Sequence, residues 1–420
     1  MSTVADDEQS APTSEDAATD PDAARVADLV ARLLDGHPPS TADPTEFLGA
    51  QFDAGLAWVH FPEGDGGLGV NPRLQRDVIR AVARAGGPVG GTRNPIGYGM
   101  CGPAVMTHGT PEQKRLLRPL FTNEDIWCQL FSEPGAGSDV ASLACRAERD
   151  GDEWVLNGQK VWTTLAHLSN YGLIIARTDP EQAKHRGMTA FIVDMHLPGV
   201  EVRPLRQMTG NAEFNEVYFT DVRIADSMRL DEVGRGWAVA LTTLMNERVS
   251  IGGGTPPRNS GPIGQLLKVY RDTAPHDPVY RDEFVSLWIR AEVNRLTNLR
   301  AAGNRRMGTP GPEGSISKLA MAELNKAIYE LACSLIGTAA MLYGDYDHQI
   351  QPESLFGDDP LVNFLRSRQL HRGGHHRGDE EHPRRARAGT SRRHPHRQGR
   401  AVECRAPFVK RGGRREVGRR

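Results

Sequence analysis

The sequence predicts an α+β multidomain fold, with an N-terminal helical domain, a middle β-barrel-like or β-sandwich domain and a C-terminal helical bundle. Two observations predict it. Apolar residues recur at helical spacing from about residue 24 to 125, at strand spacing to about 235, and at helical spacing again to about 367. The middle stretch also lacks the strand–helix–strand alternation that a parallel nucleotide-binding sheet requires. Around these segments, residues 1–23 are expected to be a disordered acidic lead and residues 368–420 a basic disordered tail.

The helical domain, 24–125, carries its patterns over Ala24–Leu34, Thr45–Ala54, Pro72–Ala85 and Pro111–Phe121. Pro111 suits a first helical turn, where an N–H has no intrahelical partner, and Thr110 before it is an N-cap. In the β domain, 126–235, Glu153–Leu156 and Lys160–Thr163 flank Asn157-Gly158, which reads as a hairpin turn because both residues tolerate positive φ. Further strands are expected over Tyr171–Arg177, Thr189–Asp194 and Glu216–Phe219. The last domain, 236–367, shows helical periods over Trp237–Ile251, Pro278–Ala302 and Ile316–Leu342, and reads as truncated.

The chain has 420 residues, 38% apolar and 25% charged, as expected of a soluble globular protein. No run of about 18 apolar residues predicts a membrane span. The first 22 residues hold seven acids and no Lys or Arg, and they lack the apolar core of a secretion signal. Cys101, Cys128, Cys145, Cys333 and Cys404 have neither pairing nor zinc-type spacing, so buried thiols in a reducing cytoplasm are expected, with no metal. The net charge of −2 conceals an asymmetry: residues 368–420 carry +12 and the remainder −14.

The chemistry is concentrated in the stretch Cys128-Gln-Leu-Phe-Ser-Glu-Pro-Gly-Ala-Gly-Ser-Asp139. A short apolar strand runs into a loop whose glycines allow close ligand approach, and whose N–H groups and Ser132 and Ser138 hydroxyls could cradle a phosphate. Read alone, a Gly-x-Gly of this kind is more often an ordinary Gly/Pro turn. Together with Trp162-Thr163-Thr164 the string resembles the acyl-CoA dehydrogenase family. Asn94–Met100, His108–Lys114, Phe214–Ile224 and Val233–Trp237 are similar to it in the same order, so the resemblance covers roughly residues 24–367.

That resemblance implies FAD as cofactor, with the Trp162 indole covering the flavin ring and a Thr hydroxyl near its reactive nitrogen. Leu130, Phe131, Ser132, Gly137, Ser138, Trp162, Thr163 and Thr164 are the implied cofactor contacts. Ser138, Asn215 and Arg248 are the implied substrate contacts. It further implies dehydrogenation of an acyl-CoA to a 2-enoyl-CoA, an electron-transfer flavoprotein or similar acceptor, and a homo- or hetero-oligomer. The base is read from the residues first. Ala240, Leu244, Glu247 and Ile251 share one helical stripe, so a carboxylate interrupts an apolar row; burial there raises its pKa and makes it a stronger base once ionised. A surface Glu paired with an Arg is the competing reading. The family places a base on this helix in some members, which assigns the role to Glu247.

The pattern departs from the family in two places. An Arg-x-x-Phe-Gly element is missing from Gly252–Pro262 and Arg271–Pro278, while Gly311–Leu319 resembles an actinobacterial lipid- and sterol-degrading subgroup, some of whose members pair unlike subunits. After Arg368 the family continues into a Glu-Gly-Gly-Thr loop. Reading the codons for Gln369–Ala386 one base later permits Asn-Ser-Ile-Glu-Gly-Gly-Thr-Thr-Glu-Val-Met-Lys-Asn-Ile-Leu-Gly-Glu-Arg, so a frame change near Arg368 is expected. Two alternatives stay open: a non-catalytic partner subunit, and a same-fold flavoprotein that binds nucleic acid through the tail. Nucleic-acid binding is the less expected.

Overall fold

In the computed structural model, the described residues are 20–88, 91, 93–252, 257–273, 277–306, 313–342 and 360–368, and the side chains of 247–252, 305–306 and 313–315 are excluded. Residues 1–19 of the expected lead and the tail beyond Arg368 therefore lie outside them. The last residues of that lead are helical: Asp20 accepts hydrogen bonds from the N–H groups of Asp22 and Ala23, and Pro21 opens helix α1, Pro21–Gly36. Its Val26, Val30 and Leu33, one helical stripe, are buried.

Helix α2, Pro44–Asp53, is capped by Asp43, and α3, Gln75–Arg84, buries Val78 and Val82. These elements share a core with Phe47, Leu56 and Val59. A π-helical turn over Gly97–Cys101 feeds α4, Gly102–His108. The single helix expected over Pro111–Phe121 is two short ones, α5 (Pro111–Lys114) and α6 (Leu117–Thr122). Pro119 supplies the reason: its ring excludes the carbonyl four residues back and it has no N–H to donate. The Thr110 cap holds, as a reciprocal capping box with Gln113.

The middle domain is one eight-stranded sheet in the order β6-β7-β3-β2-β4-β5-β8, with β1 (Trp127–Leu130) parallel to β4 (Tyr171–Arg177). The other strands are β2 (Arg146–Asp150), β3 (Glu153–Thr164), β5 (Met188–Asp194), β6 (Val200–Leu205), β7 (Phe214–Ala225) and β8 (Arg229–Leu230). The expected hairpin at Asn157-Gly158 is not one. β3 runs straight through it, with a register shift against β7 between Leu156 and Gly158. Gly158 adopts φ 147°, and a Cβ there would come within 2.8 Å of Cys145. The Asn157 amide bonds Asp221, so this Asn-Gly pair builds a bulge rather than a turn. The hairpin closes instead at Gly151, φ 65°, between β2 and β3.

Helix α7, Gly236–Gly252, leaves the sheet with Val239 and Ala240 buried. It is followed by α8 (Gly261–Thr273), α9 (Pro278–Arg306), α10 (Glu313–Ile336) and α11 (Pro360–Ser367). The C-terminal core gathers Ile263, Leu266, Leu287, Leu324, Ile328 and Leu331. No described helix is long and apolar enough to cross a membrane.

Candidate functional site

β1 ends at Leu130, and the Ser132–Asp139 loop leaves it on the side where β3 terminates. Mutual hydrogen bonds between Glu133 and Ala136 close the loop's first turn, at 3.0 and 3.1 Å. A Cβ built on Gly135 or Gly137 would meet nothing within 4 Å, and neither glycine has positive φ. Among the described residues no packing demands glycine at either position, and a ligand lying against the loop would. Leu130 and Phe131 turn their side chains into the core, so only their backbones remain for a cofactor, and the Phe131 carbonyl already accepts from Lys160. Ser138 is exposed and Ser132 partly buried. Asp139 bonds Lys184 at 2.7 Å, and that cation holds its carboxyl below the usual range.

The opposite wall is the end of β3. The register against β7 shifts between Lys160 and Thr163, and at this bulge Trp162 adopts φ 62°. Positive φ on a bulky residue is an outlier that neighbouring structure must enforce. Its effect is to turn the indole out of the sheet, 45% exposed. Thr163 is buried, and its Oγ1 has no hydrogen-bond partner among the described residues. Thr164 is partly buried.

The implied substrate residue Asn215 has a different place. It is fully buried on β7, and its amide nitrogen donates to the carbonyls of Thr163 (3.0 Å) and Glu213 (3.3 Å). Its oxygen meets His167 Nδ1 at 3.2 Å, and burial lowers the His167 pKa. Asn215 thus holds the Thr163 backbone instead of opening toward a ligand.

The helix carrying the expected base is seated by a close approach: a Cβ on Gly236 would stand 2.8 Å from the Met188 backbone of β5. From there Ala240 and Leu244 pack on the central core, with Leu241 and Met245 exposed on another side. The helix backbone continues through 247 and 248, but the side chains of Glu247 and Arg248 lie outside the described ones. His108 fixes the helix from beside it, with Nδ1 to Asp231 at 2.7 Å and Nε2 to Thr242 at 2.8 Å, joining α4, the end of β8 and α7.

Sequence reasoning missed that joint and a buried ion pair, Lys160–Glu133 at 2.8 Å. Lysine two residues before a strand-end Trp reads as a solvent-facing position, and a charge in a strand gives no sign of burial.

A half-exposed indole beside an open glycine loop suits a planar ring with an attached phosphate. The residues fit FAD on this observation.

Comparisons with known proteins agree. Models of the acyl-CoA dehydrogenase N-terminal, middle and C-terminal domains match residues 24–124, 128–222 and 234–356. The chain is 38% identical over 294 residues to acyl-CoA dehydrogenase IpdE1 of Mycobacterium tuberculosis, covering 70% of this chain and 76% of that one. It is 41% identical over 280 residues to acyl-CoA dehydrogenase FadE34 of the same organism, covering 66% of this chain and 38% of that one. The crystal structure of the ChsE4-ChsE5 complex from M. tuberculosis superposes with a TM-score of 0.65 at 26% identity, over 88% of this chain and 97% of that one.

Proposed function

The chain belongs to the acyl-CoA dehydrogenase family, and from that premise we propose that it oxidises an acyl-CoA thioester to the 2-enoyl-CoA. The single observation that carries the reading is the outward Trp162 indole at the β3 bulge, beside the open glycine loop Ser132–Asp139 that Val161 N–H joins through Ser132 O. FAD is the cofactor of the family, and when bound it supplies the two-electron oxidation.

The chain's own residues bind, orient and move a proton. Trp162 would cover the ring and shield it from water; of the two threonines that follow, Thr164 is partly buried and would offer its hydroxyl, while Thr163 would contribute through its backbone. The backbones of Leu130 and Phe131, and the loop from Ser132 through Gly137 to Ser138, line the other side. Glu247 takes the proton from the substrate α-carbon, and Arg248 follows it on the helix. An electron-transfer flavoprotein or a similar carrier reoxidises the enzyme in the cytoplasm. Similarity to the mycobacterial relatives supports a lipid- or sterol-derived acyl group as the substrate class.

Incubating the protein with acyl-CoA esters and an artificial electron acceptor tests the reaction. A product two hydrogens lighter, with the double bond at C2–C3, supports it. Unchanged thioesters across the panel, with FAD bound, contradict it.

One observation favours a paired subunit. On α9, Val285, Ile289, Val293, Leu296 and Leu299 form an exposed apolar stripe. The ChsE4-ChsE5 complex shows that proteins of this fold assemble from unlike chains. A second chain against α9 would cover the stripe, and co-purification would show whether it is a copy or a relative. The frame change near Arg368 is tested by sequencing the gene across that codon.

A further inference from the structure

We propose that Glu133 and Lys160 are positioning residues for the FAD cleft, their buried ion pair setting the Ser132–Asp139 loop against the Trp162 bulge. The proposal rests on the flavin reading above and deepens it.

Lys160 is fully buried, and its ammonium donates to Glu133 Oε1 at 2.8 Å, Ile175 O at 2.8 Å and Phe131 O at 3.2 Å. Its three donors are thereby used. The Glu133 carboxylate also accepts from the N–H groups of Ala144 at 2.6 Å and Cys145 at 3.0 Å. Between the two partners, Val161 N donates to Ser132 O at 2.9 Å.

Burying two charges is expensive, and an apolar pair of similar volume is often as stable. Space filling therefore does not account for this pair. What an apolar pair could not do is grip the Phe131 and Ile175 carbonyls and the Ala144 and Cys145 amides at once. Those groups belong to the base of the loop, to β4 and to the entry of β2. Lys160 itself stands two residues before Trp162. The loop cannot slide relative to the indole without leaving a charge buried and unpaired. One wall of the cleft is thus referenced to the other, and the two outward surfaces that would hold the ring keep their separation.

The test compares the full chain with Lys160→Met, Glu133→Leu and the double variant. Each single variant leaves one buried charge unmatched and lowers the thermal midpoint; the double variant removes the unmatched charge and recovers part of the loss. Three further readouts separate positioning from stability: amide hydrogen exchange over 132–139 and 161–164 without FAD, FAD affinity, and circular dichroism in the flavin's visible bands. The recovered double variant is expected to exchange about tenfold faster in these segments and to bind FAD about tenfold more weakly, the scale of one lost charge-assisted hydrogen bond. Its visible dichroism changes as the indole moves. Unchanged exchange and affinity in the double variant overturn the positioning role. Failure of the unaltered chain to take up FAD overturns the flavin reading instead, so the two failures are distinguishable.

Discussion

The middle sheet and the C-terminal helices bury their apolar residues to different depths. In the sheet, Ile174, Phe191, Val193, Val217 and Val222 are completely enclosed within one core. On α9 only Leu287 among the large apolar residues is fully enclosed, while Ile289, Val293 and Leu296 are about half exposed or more. Both regions have the apolar content to make a core. The sheet's buried strands are covered on both faces within the chain, whereas a helix satisfies its own backbone and can leave a whole face waiting for another surface. The proposed flavin contacts belong to the sheet region, and the proposed base to the helix that leaves it. On that proposal, cofactor binding and proton removal have separate structural supports.

The predictions that break this division run from large effects to small. Glu247→Gln should lower kcat by about 10²–10⁴-fold, the range for a general base, with FAD affinity preserved because the cleft walls lie in the sheet. Steady-state kinetics beside an FAD titration checks both halves; a parallel loss of FAD would join the two regions. Phe191→Ala should cost about 3–5 kcal/mol in denaturant unfolding, the cost of a cavity in a filled core.

A middle-sized effect comes from the corner after β7. Asp226 accepts from Trp154 Nε1 at 2.7 Å and pairs with Arg229 at 2.9 Å, which holds its carboxyl down to about 2. A folded-state pKa below the unfolded one stabilises at pH values above the unfolded pKa, and the contribution is lost as pH falls toward about 2. Asp226→Asn should flatten the acid limb of the stability profile, costing about 1–2 kcal/mol at neutral pH. The smallest effect on the chain's own stability is expected on α9. Ile289→Ser with Leu296→Ser should change it by about 0.5 kcal/mol or less, yet lower the assembled mass in light scattering. A large destabilisation without a change of mass would mean the stripe is covered within the chain.

How much of this could be read from the residues depended on what each signal reports. Tyr171–Arg177 stands where its β-branched run put it, because a fully buried strand declares itself by composition. β2, Arg-Ala-Glu-Arg-Asp, did not: only Ala147 is buried, and a polar strand exists through its pairing with β3 rather than through its own pattern. α8 was missed because its Gly-Pro start falls in a stretch that departs from the family pattern. Of Asn157-Gly158 only Gly158 adopts the expected positive φ, and the topology differs, since a positive φ serves a bulge as well as a turn. The motif singled out Trp162, and the structure turns its indole outward at a strand bulge. Lys160–Glu133 was not legible, because partners 27 residues apart meet only once β1, β3 and β4 are paired.

The central claim is a flavin held between the Ser132–Asp139 loop and Trp162 and reduced by an acyl-CoA. Anaerobic visible spectroscopy of the FAD-loaded chain during acyl-CoA titration tests it most directly. The account predicts that the flavin absorbance bleaches with one ester class and that Trp162→Ala weakens both FAD retention and bleaching. A chain that stays colourless with added FAD, alone and with a co-purified partner, would contradict it.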